Sequence, residues 1–385
     1  MPVAVDPGLP GVHDASSILK ALVISTNDQH YMALALQWAA KGLLITTPNP
    51  RVGCVIVKDD AILGAGHTQV PGKAHAEIEA LNDAASRGND VRGATLYVTL
   101  EPCSHHGRTP PCVDALMVAG IQRVVSAIVD PNPLVAGQGH ARLRAAGIDV
   151  TTDVMAHEAR ELNIGFFKRM SSGTPWVRMK VAASLDGKTA LHNGSSQWIT
   201  SAAARDDGHH WRARACAILT GIGTVNTDNP QLTVRAVDTS RQPRRVIVDS
   251  KLEIGLQARV LQGEPCWIVA ARPDPEKAEA LHAQGHEVIY LPNAGGKVDL
   301  QALMKELGNR AINELHIEAG TKLNGSLLRD NCVDELLVYL APVLLGDARG
   351  MFDLPALNSL DAAATWQFAE VKQIGADVRI LARLS

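Results

Sequence analysis

From about residue 27 the chain breaks into short blocks whose apolar positions repeat now with a helical period, now with a strand period. Thr26, Asn27 or Asp28 can cap a first helix, along which Met32, Leu34, Leu36, Trp38, Ala39 and Leu43 mostly follow one stripe. The turn Thr47-Pro48-Asn49-Pro50 ends it. Two β-like runs, Gly53 to Val57 and Ala61 to Gly64, flank Asp59-Asp60 and read as a hairpin. A regular alternation follows: helix from Ala76 to Ala85, strand Thr95 to Leu100, helix Val113 to Ala119, strand Arg123 to Val129, helix Gly139 to Ala146, strand Ile148 to Thr151. Strands alternating with helices predict a sheet covered by helices, an α/β unit.

A polar stretch from His157 leads to Ser171-Ser172-Gly173-Thr174-Pro175, and a second alternating set starts beyond it. Strands are expected near Val177 to Ala183, Ala217 to Thr220, Arg245 to Val248, Trp267 to Ala270, Val288 to Leu291 and Glu314 to Ile317. Helices fit at Ala278 to Gln284 and Leu300 to Leu307. Leu336 to Tyr339 and Val378 to Leu381 read as an antiparallel finish. No fixed period repeats, so the two sets are different units. The expected division is a poorly ordered extension over residues 1–26, a domain over 27–150, a linker over 151–173 and a domain over 174–385. The 385-residue length agrees with two domains.

Composition narrows the classes. Hydrophobic residues make up 46% and charged residues 20%, enough apolar surface for packed cores. The net charge of −3 and the absence of long basic runs argue against a partner made of nucleic acid. The longest apolar stretch, Leu336 to Leu345, is too short for a membrane span and holds Pro342, so no membrane partner is expected. The N-terminal region lacks the pattern of a secretory signal, which predicts a cytoplasmic protein. Six cysteines in such a chain fit reduced thiols and a metal better than a disulfide frame.

The sharpest chemistry is His75-Ala76-Glu77 followed by Pro102-Cys103 and Pro111-Cys112. One imidazole and two thiolates suit Zn²⁺ and leave a fourth tetrahedral position for water, which zinc acidifies. Two thiolates also balance the ion's charge. Glu77, not itself a ligand, can take the water's proton and pass it to a leaving amine, which is hydrolytic deamination of an amino-substituted heterocycle. His75 and Cys112 fall at predicted helix starts, where the thiolate form is favoured. His105 and His106 read as loop residues shaping the pocket, and Cys54, Cys216, Cys266 and Cys332 as buried thiols. Gly221-Ile222-Gly223-Thr224 and Glu318-Ala319-Gly320-Thr321 each follow an apolar run, as phosphate-approaching turns do, but neither is the Gly-x-Gly-x-x-Gly fingerprint of a standard dinucleotide fold.

The run from Pro102 to Cys112, Pro-Cys-Ser-His-His-Gly-Arg-Thr-Pro-Pro-Cys, resembles the deaminase half of the bifunctional riboflavin-biosynthesis deaminase/reductase family. Its eight-residue cysteine spacing differs from the Cys-x-x-Cys of nucleoside and transfer-RNA deaminases. Asn49-Pro50-Arg51-Val52-Gly53-Cys54-Val55 is also similar, and the resemblance implies that Asn49 lies in the substrate pocket. One departure stands out: Thr68 occupies a position where the family often has His, with His67 one place earlier.

In the second half, Lys180 to Ala190, Ser196 to Ser201, Gly223-Thr224-Val225 through Asp228-Asn229-Pro230, Leu232 and Arg235 resemble the family's reductase. Val246 to Ser250 and Leu345 to Gly350 add to this. The likeness extends from about residue 27 to the end and implies a cytidine-deaminase-like three-layer domain followed by a dihydrofolate-reductase-like α/β domain. It also implies that Ser196, Arg212, Leu232, Arg235 and Glu318 contact the substrate. NADPH would lie against Ala182, Trp198, Thr224, Asp228, Ser250 and the segment Gly320, Thr321, Lys322, Leu323, Asn324, Gly325 and Ser326. Lys180 and Asp186 are candidates for positioning or protonating the reacting sugar.

The implied function is two-step: zinc-dependent deamination of a diaminopyrimidinone carrying a phosphoribosylamino group, then NADPH-dependent reduction of the ribosyl chain to ribityl. The small-molecule substrate is the expected partner, together with further copies of the chain as a dimer or tetramer. Two other readings are a nucleobase or transfer-RNA-type zinc deaminase with an accessory nucleotide-binding domain, and a structural zinc module with a nucleotide-sensing domain. The second would need a fourth ligand such as His105 or His106.

Overall fold

The structure is a computed structural model that describes residues 26–105, 110–133 and 135–384. The extension expected over 1–26 lies, except for Thr26, outside the described residues, as does His106. Chain order begins with α1 (Thr26–Lys41), β1 (Gly53–Lys58), β2 (Ala61–His67), α2 (Ala76–Ser86), β3 (Thr95–Val98), α3 (Cys112–Ala119), β4 (Arg123–Ser126), α4 (Gln138–Ala145) and β5 (Asp149–Thr151). These strands form one sheet in the order β2-β1-β3-β4-β5, with β1 antiparallel to β2 and β3, and β3, β4 and β5 parallel.

Adjacent β1 residues meet helices on opposite faces. A Cβ at Gly53 would stand 1.9 Å from the Ala35 carbonyl oxygen of α1, whereas one at Gly66, opposite Cys54, would stand 2.7 Å from the Ala80 nitrogen of α2. Both helices therefore press onto the sheet without side chains between, and helix, sheet and helix form three layers. On α1 the buried Met32, Ala35 and Ala39 recur at helical spacing; Met32 and Ala39 belong to the predicted stripe, Ala35 does not.

The stretch 151–173, expected as a linker, is instead mostly two helices, α5 (Ala156–Leu162) and α6 (Ile164–Ser172). Phe166 and Phe167 of α6 belong to the same core as β1, β3 and β4, so apolar burial holds this segment on the first sheet.

Beyond it come β6 (Trp176–Ser184), β7 (Lys188–Ala190), α7 (Ala202–Arg214), β8 (Ala217–Gly221), α8 (Ile222–Asp228), β9 (Arg244–Val248), β10 (Cys266–Ala270), α9 (Pro275–Ala283) and β11 (Glu287–Tyr290). Then follow α10 (Leu300–Asn309), β12 (Glu314–Ile317), α11 (Thr321–Arg329), β13 (Glu335–Ala341), β14 (Arg349–Gly350), β15 (Trp366–Ile374) and β16 (Asp377–Leu384). The large sheet runs β11-β10-β9-β8-β12-β6-β13-β16-β15. It is parallel from β11 to β13, and β16 is antiparallel to both β13 and β15. The antiparallel finish was expected, but β15 was not. Leu219, Leu315 and Met179, wholly buried on β8, β12 and β6, mark the middle of this core.

The parallel strands share one carboxyl edge, where an open α/β sheet receives ligands. Thr224, Ser250 and Glu318 all follow strands at that edge. Among the described residues no helix is long and apolar enough to cross a membrane.

Candidate functional site

In the first domain two helix starts face one loop. His75 is the residue before α2 and has extended backbone, Glu77 is in the first turn, and Cys112 opens α3. Cys103 lies on the loop after β3 and accepts a hydrogen bond from the Cys112 backbone N–H at 3.3 Å. His75 Nδ1 is 3.5 Å from Cys103 Sγ and 3.3 Å from Cys112 Sγ. All three donor atoms lie within 4.8 Å of one another, and among the described residues this is the one such group of His, Cys, Asp or Glu. A tetrahedral zinc with ordinary Zn–N and Zn–S lengths needs N···S separations of about 3.5 Å, so the residues fit the ion.

Electrostatics agree with the chemistry. The Cys112 thiol hydrogen bond, then the nearby His75, draw the Cys103 thiol down to about 4, while the same bond and burial push Cys112 up. A bound cation would favour the thiolate form of both. Glu77 is 4% exposed, and burial first, then the Cys103 charge, raise its carboxyl to about 7. Such a group can both take and return a proton near neutrality. Glu77 stands outside the three-ligand group, and so does His105, which is exposed. Cys54 is buried near enough to Glu77 for that charge to add to burial in raising its thiol.

Sequence reasoning missed Glu101, one residue before Pro102-Cys103. Its buried carboxylate accepts from the backbone N–H groups of Asp130 (3.2 Å), Gly137 (2.9 Å), Gly139 (2.8 Å) and His140 (3.3 Å). It ties the cysteine loop to the start of α4. An acidic residue directly before Pro-Cys was the available signal.

In the second domain, Glu318 follows β12 at the carboxyl edge. Arg212 of α7 grips it twice, Nε to Oε1 at 2.5 Å and Nη2 to Oε2 at 2.8 Å, and Lys180 Nζ is 4.0 Å away. Burial would raise the Glu318 carboxyl, but Arg212 and Lys180 outweigh it and hold the group well below the carboxylate range. Burial draws the Lys180 ammonium below its ordinary value. Arg235, exposed, bonds Thr233 Oγ1 at 3.0 Å, and its charge is felt with that of Arg212 at His209. A Cβ at Gly320 would be 3.7 Å from Thr224 Oγ1, so the turns after β8 and β12 meet.

The remaining expected contact residues are spread around this edge and over the flanking loops. Asn324 and Gly325 are buried: Asn324 Nδ2 donates to the Ala319 carbonyl at 3.2 Å, and a Cβ at Gly325 would be 2.1 Å from the Asp353 carbonyl oxygen. These contacts shape the start of α11 from within. Leu232 packs in a core with Ile218 and Val225. Ser196 has no hydrogen bond to the Glu318 group among the described residues and lies on the loop 191–200 with Trp198, whose ring is 70% exposed under Arg205. Ala182 is half-buried on β6, Asp228 ends α8, and Ser250 accepts from the Val298 N–H at 3.2 Å. Thr321, Lys322, Leu323 and Ser326 line the first turns of α11. Asp186 accepts from the Ser184 hydroxyl at 2.5 Å and from the Leu345 and Gly346 N–H groups at 3.1 and 2.8 Å. These bonds hold it at about 2, so at neutral pH it fixes a turn and has no proton to give.

The two sites on these folds define a two-domain enzyme: a zinc-type deaminase followed by a nucleotide-dependent reductase. The comparisons with known proteins agree. The cytidine and deoxycytidylate deaminase zinc-binding region matches residues 25–128, and the RibD C-terminal domain matches residues 175–380. Riboflavin biosynthesis protein RibD of Escherichia coli is 47% identical over 370 residues, covering 91% of this chain and 98% of its own. That of Bacillus amyloliquefaciens is 43% identical over 92% and 96%. The solved Acinetobacter baumannii RibD, form 2, has 40% identity and a TM-score of 0.84, covering 93% of this chain and 99% of its own. A Thermotoga maritima structure, described as a diaminohydroxyphosphoribosylaminopyrimidine deaminase/5-amino-6-(5-phosphoribosylamino)uracil reductase, has 33% identity and a TM-score of 0.84 over 93% and 99%. The chain belongs to the RibD family of riboflavin biosynthesis proteins. It is a bifunctional enzyme that uses Zn²⁺ and NADPH.

Proposed function

We propose that the domain over 27–150 hydrolyses the 2-amino group of a diaminopyrimidinone carrying a phosphoribosylamino group. The domain over 174–385 then reduces the ribosyl chain, with 151–173 joining them. The observation that carries this reading is the His75, Cys103 and Cys112 triangle with the buried Glu77 beside it.

His75, Cys103 and Cys112 would hold the zinc, which would supply Lewis acidity toward water at neutral pH. Glu77 takes the water's proton and delivers it to the departing amine, so water and substrate become carbonyl product and ammonia. Asn49 orients the pyrimidine. In the second domain NADPH supplies the hydride. The residues that would hold it are Ala182, Trp198, Thr224, Asp228, Ser250 and the segment from Gly320 to Ser326. Arg235 receives the substrate phosphate, because an exposed guanidinium offers paired donors to phosphate oxygens. Arg212 holds Glu318 ionised, and the carboxylate accepts from sugar hydroxyls. Lys180 gives the proton that accompanies the hydride.

The active form is a homo-oligomer in the cytoplasm. Every described position of the edge strand β15 is exposed or half-exposed, with Phe368 at 71% and Val371 at 58%. All six cysteines are free thiols, as a reducing compartment keeps them.

Mass analysis of products tests the reading. With the phosphoribosylaminopyrimidine alone, the amino group is replaced by oxygen and ammonia appears. Adding NADPH then adds two hydrogens to the sugar chain. Reduction of the undeaminated compound ahead of any ammonia would reverse the proposed order.

A further inference from the structure

The loop that carries Asn49 is held from the second domain. Arg241 Nε donates to the Leu44 carbonyl at 2.9 Å, Thr47 Oγ1 is 2.8 Å from Cys216 Sγ, and Asn313 Nδ2 donates to the Pro48 carbonyl at 2.9 Å. Arg51, 6% exposed, sends Nη1 to Glu314 Oε1 at 2.5 Å and to the Leu162 carbonyl at 2.7 Å. Its peptide group is clasped by Asn163, which accepts from Arg51 N–H at 2.7 Å and donates to its carbonyl at 2.9 Å.

The segment needs such outside fixing. Pro48 and Pro50 lack N–H donors, and within the loop the Asn49 N–H bonds the Thr46 carbonyl at 2.9 Å. The anchor is rigid: Arg214 Nε at 2.7 Å and Arg178 Nη1 at 3.1 Å hold Glu314 Oε2 from the second domain, leaving Oε1 aimed at Arg51. Among the described residues the half-buried Asn49 side chain has no hydrogen-bond partner in the protein, so this fixed loop presents one unspent amide. Directly after the loop, β1 brings Cys54 beside Glu77.

We propose that Glu314, acting through Arg51, and Asn313, acting through Pro48, are positioning residues for deamination: they set the Asn49 amide for the pyrimidine ring. The proposal rests on the reading of Asn49 as a substrate contact. Glu314 and Asn313 stand at the amino end of β12, while Glu318 stands past its carboxyl end. One strand of the reductase thereby serves both sites, at opposite ends.

Two conservative variants test it in the full-length zinc enzyme. Asn313→Asp keeps the acceptor used by Arg169 Nε at 2.6 Å and removes the donor to Pro48. Arg51→Lys keeps the charge and removes the fork. Each is expected to raise the deaminase KM about tenfold, below the ~100-fold that a full ångström of misplacement can cost. The deaminase kcat, zinc content, and the reductase kcat and KM with NADPH are expected to stay within about twofold. Combined with Asn49→Ala, either variant is expected to add less than about twofold, because it acts through that amide. If Asn49→Ala raises KM and the two variants do not, the positioning role is wrong while the reading of Asn49 stands. If Asn49→Ala leaves KM unchanged, both fall. Joint loss of zinc, deamination and reduction in the two variants would mark a merely structural contact and overturn the proposal.

Discussion

At the residue scale, the chemistry was legible where residue type and spacing alone restrict it. One His and one Cys at helix starts, with a second Cys on the loop before the latter, form a metal-ligand pattern, and the structure brings their donor atoms together. Arg51 and Glu314 were not legible, because their roles come from a contact between residues 263 positions apart. The burial of Asn324 and Gly325 at the start of α11 was likewise announced by no local pattern. Cys103→Ser is expected to lose zinc on dialysis against a chelator and to stop deamination, read by metal analysis and ammonia release. Retained metal would refute the ligand assignment. Arg235→Ala is expected to raise the reductase KM about tenfold, the value of one lost charge-assisted hydrogen bond of roughly 1.5 kcal/mol, with deamination unchanged. Steady-state kinetics of each half-reaction separate the two.

At the element scale, the long alternation of strands and helices was readable because each element buries one face against a sheet. The segment 151–173 was not, since helices of seven and nine residues span only about two turns each and the polar His157 to Arg160 masked them. Strand β15 escaped although Trp366, Phe368, Val371 and Ile374 are apolar, because the pairing shift between Phe368 and Glu370 breaks a strict two-residue alternation. Strand β12 shows how one element concentrates charge. Burial would raise the Glu314 carboxyl, but Arg214, Arg51 and Arg178 outweigh it and hold it well below the ordinary range. A folded value below the unfolded one, about 4.3, stabilises the protein fully above that pH and ceases to do so as pH falls through the folded value. Glu314→Gln, which leaves three guanidiniums without their shared partner, is expected to cost about 3–5 kcal/mol at pH 7. In urea titrations the gap between wild type and variant should stay constant from pH 8 to about 5 and narrow only below about 4. Narrowing already above pH 5 would show that the carboxylate is not held down.

At the scale of the whole molecule, two domains were evident from length, the first reaction from its residue set, and the second only through the family resemblance. The contact between them was not, because it is made of polar groups scattered over both halves: Lys168 with Asp334, Arg383 with Glu161, Arg51 with Glu314. The exposed edge of the large sheet also belongs to this scale. Phe368→Glu is expected to shift the protein toward smaller species in sedimentation velocity, since a charge opposes burial between copies. An unchanged oligomer would place the interface elsewhere. The central claim is that one chain performs a zinc-assisted deamination with Glu77 as proton carrier and, independently, a reduction. Its most direct measurement is ammonia release and NADPH oxidation by Glu77→Gln, with metal content determined on the same sample. The account predicts bound zinc, deamination lowered by about 10²–10⁴-fold, and undiminished oxidation of NADPH with the deaminated substrate. Ammonia release at the wild-type rate, or loss of both activities from a folded, zinc-loaded protein, would contradict it.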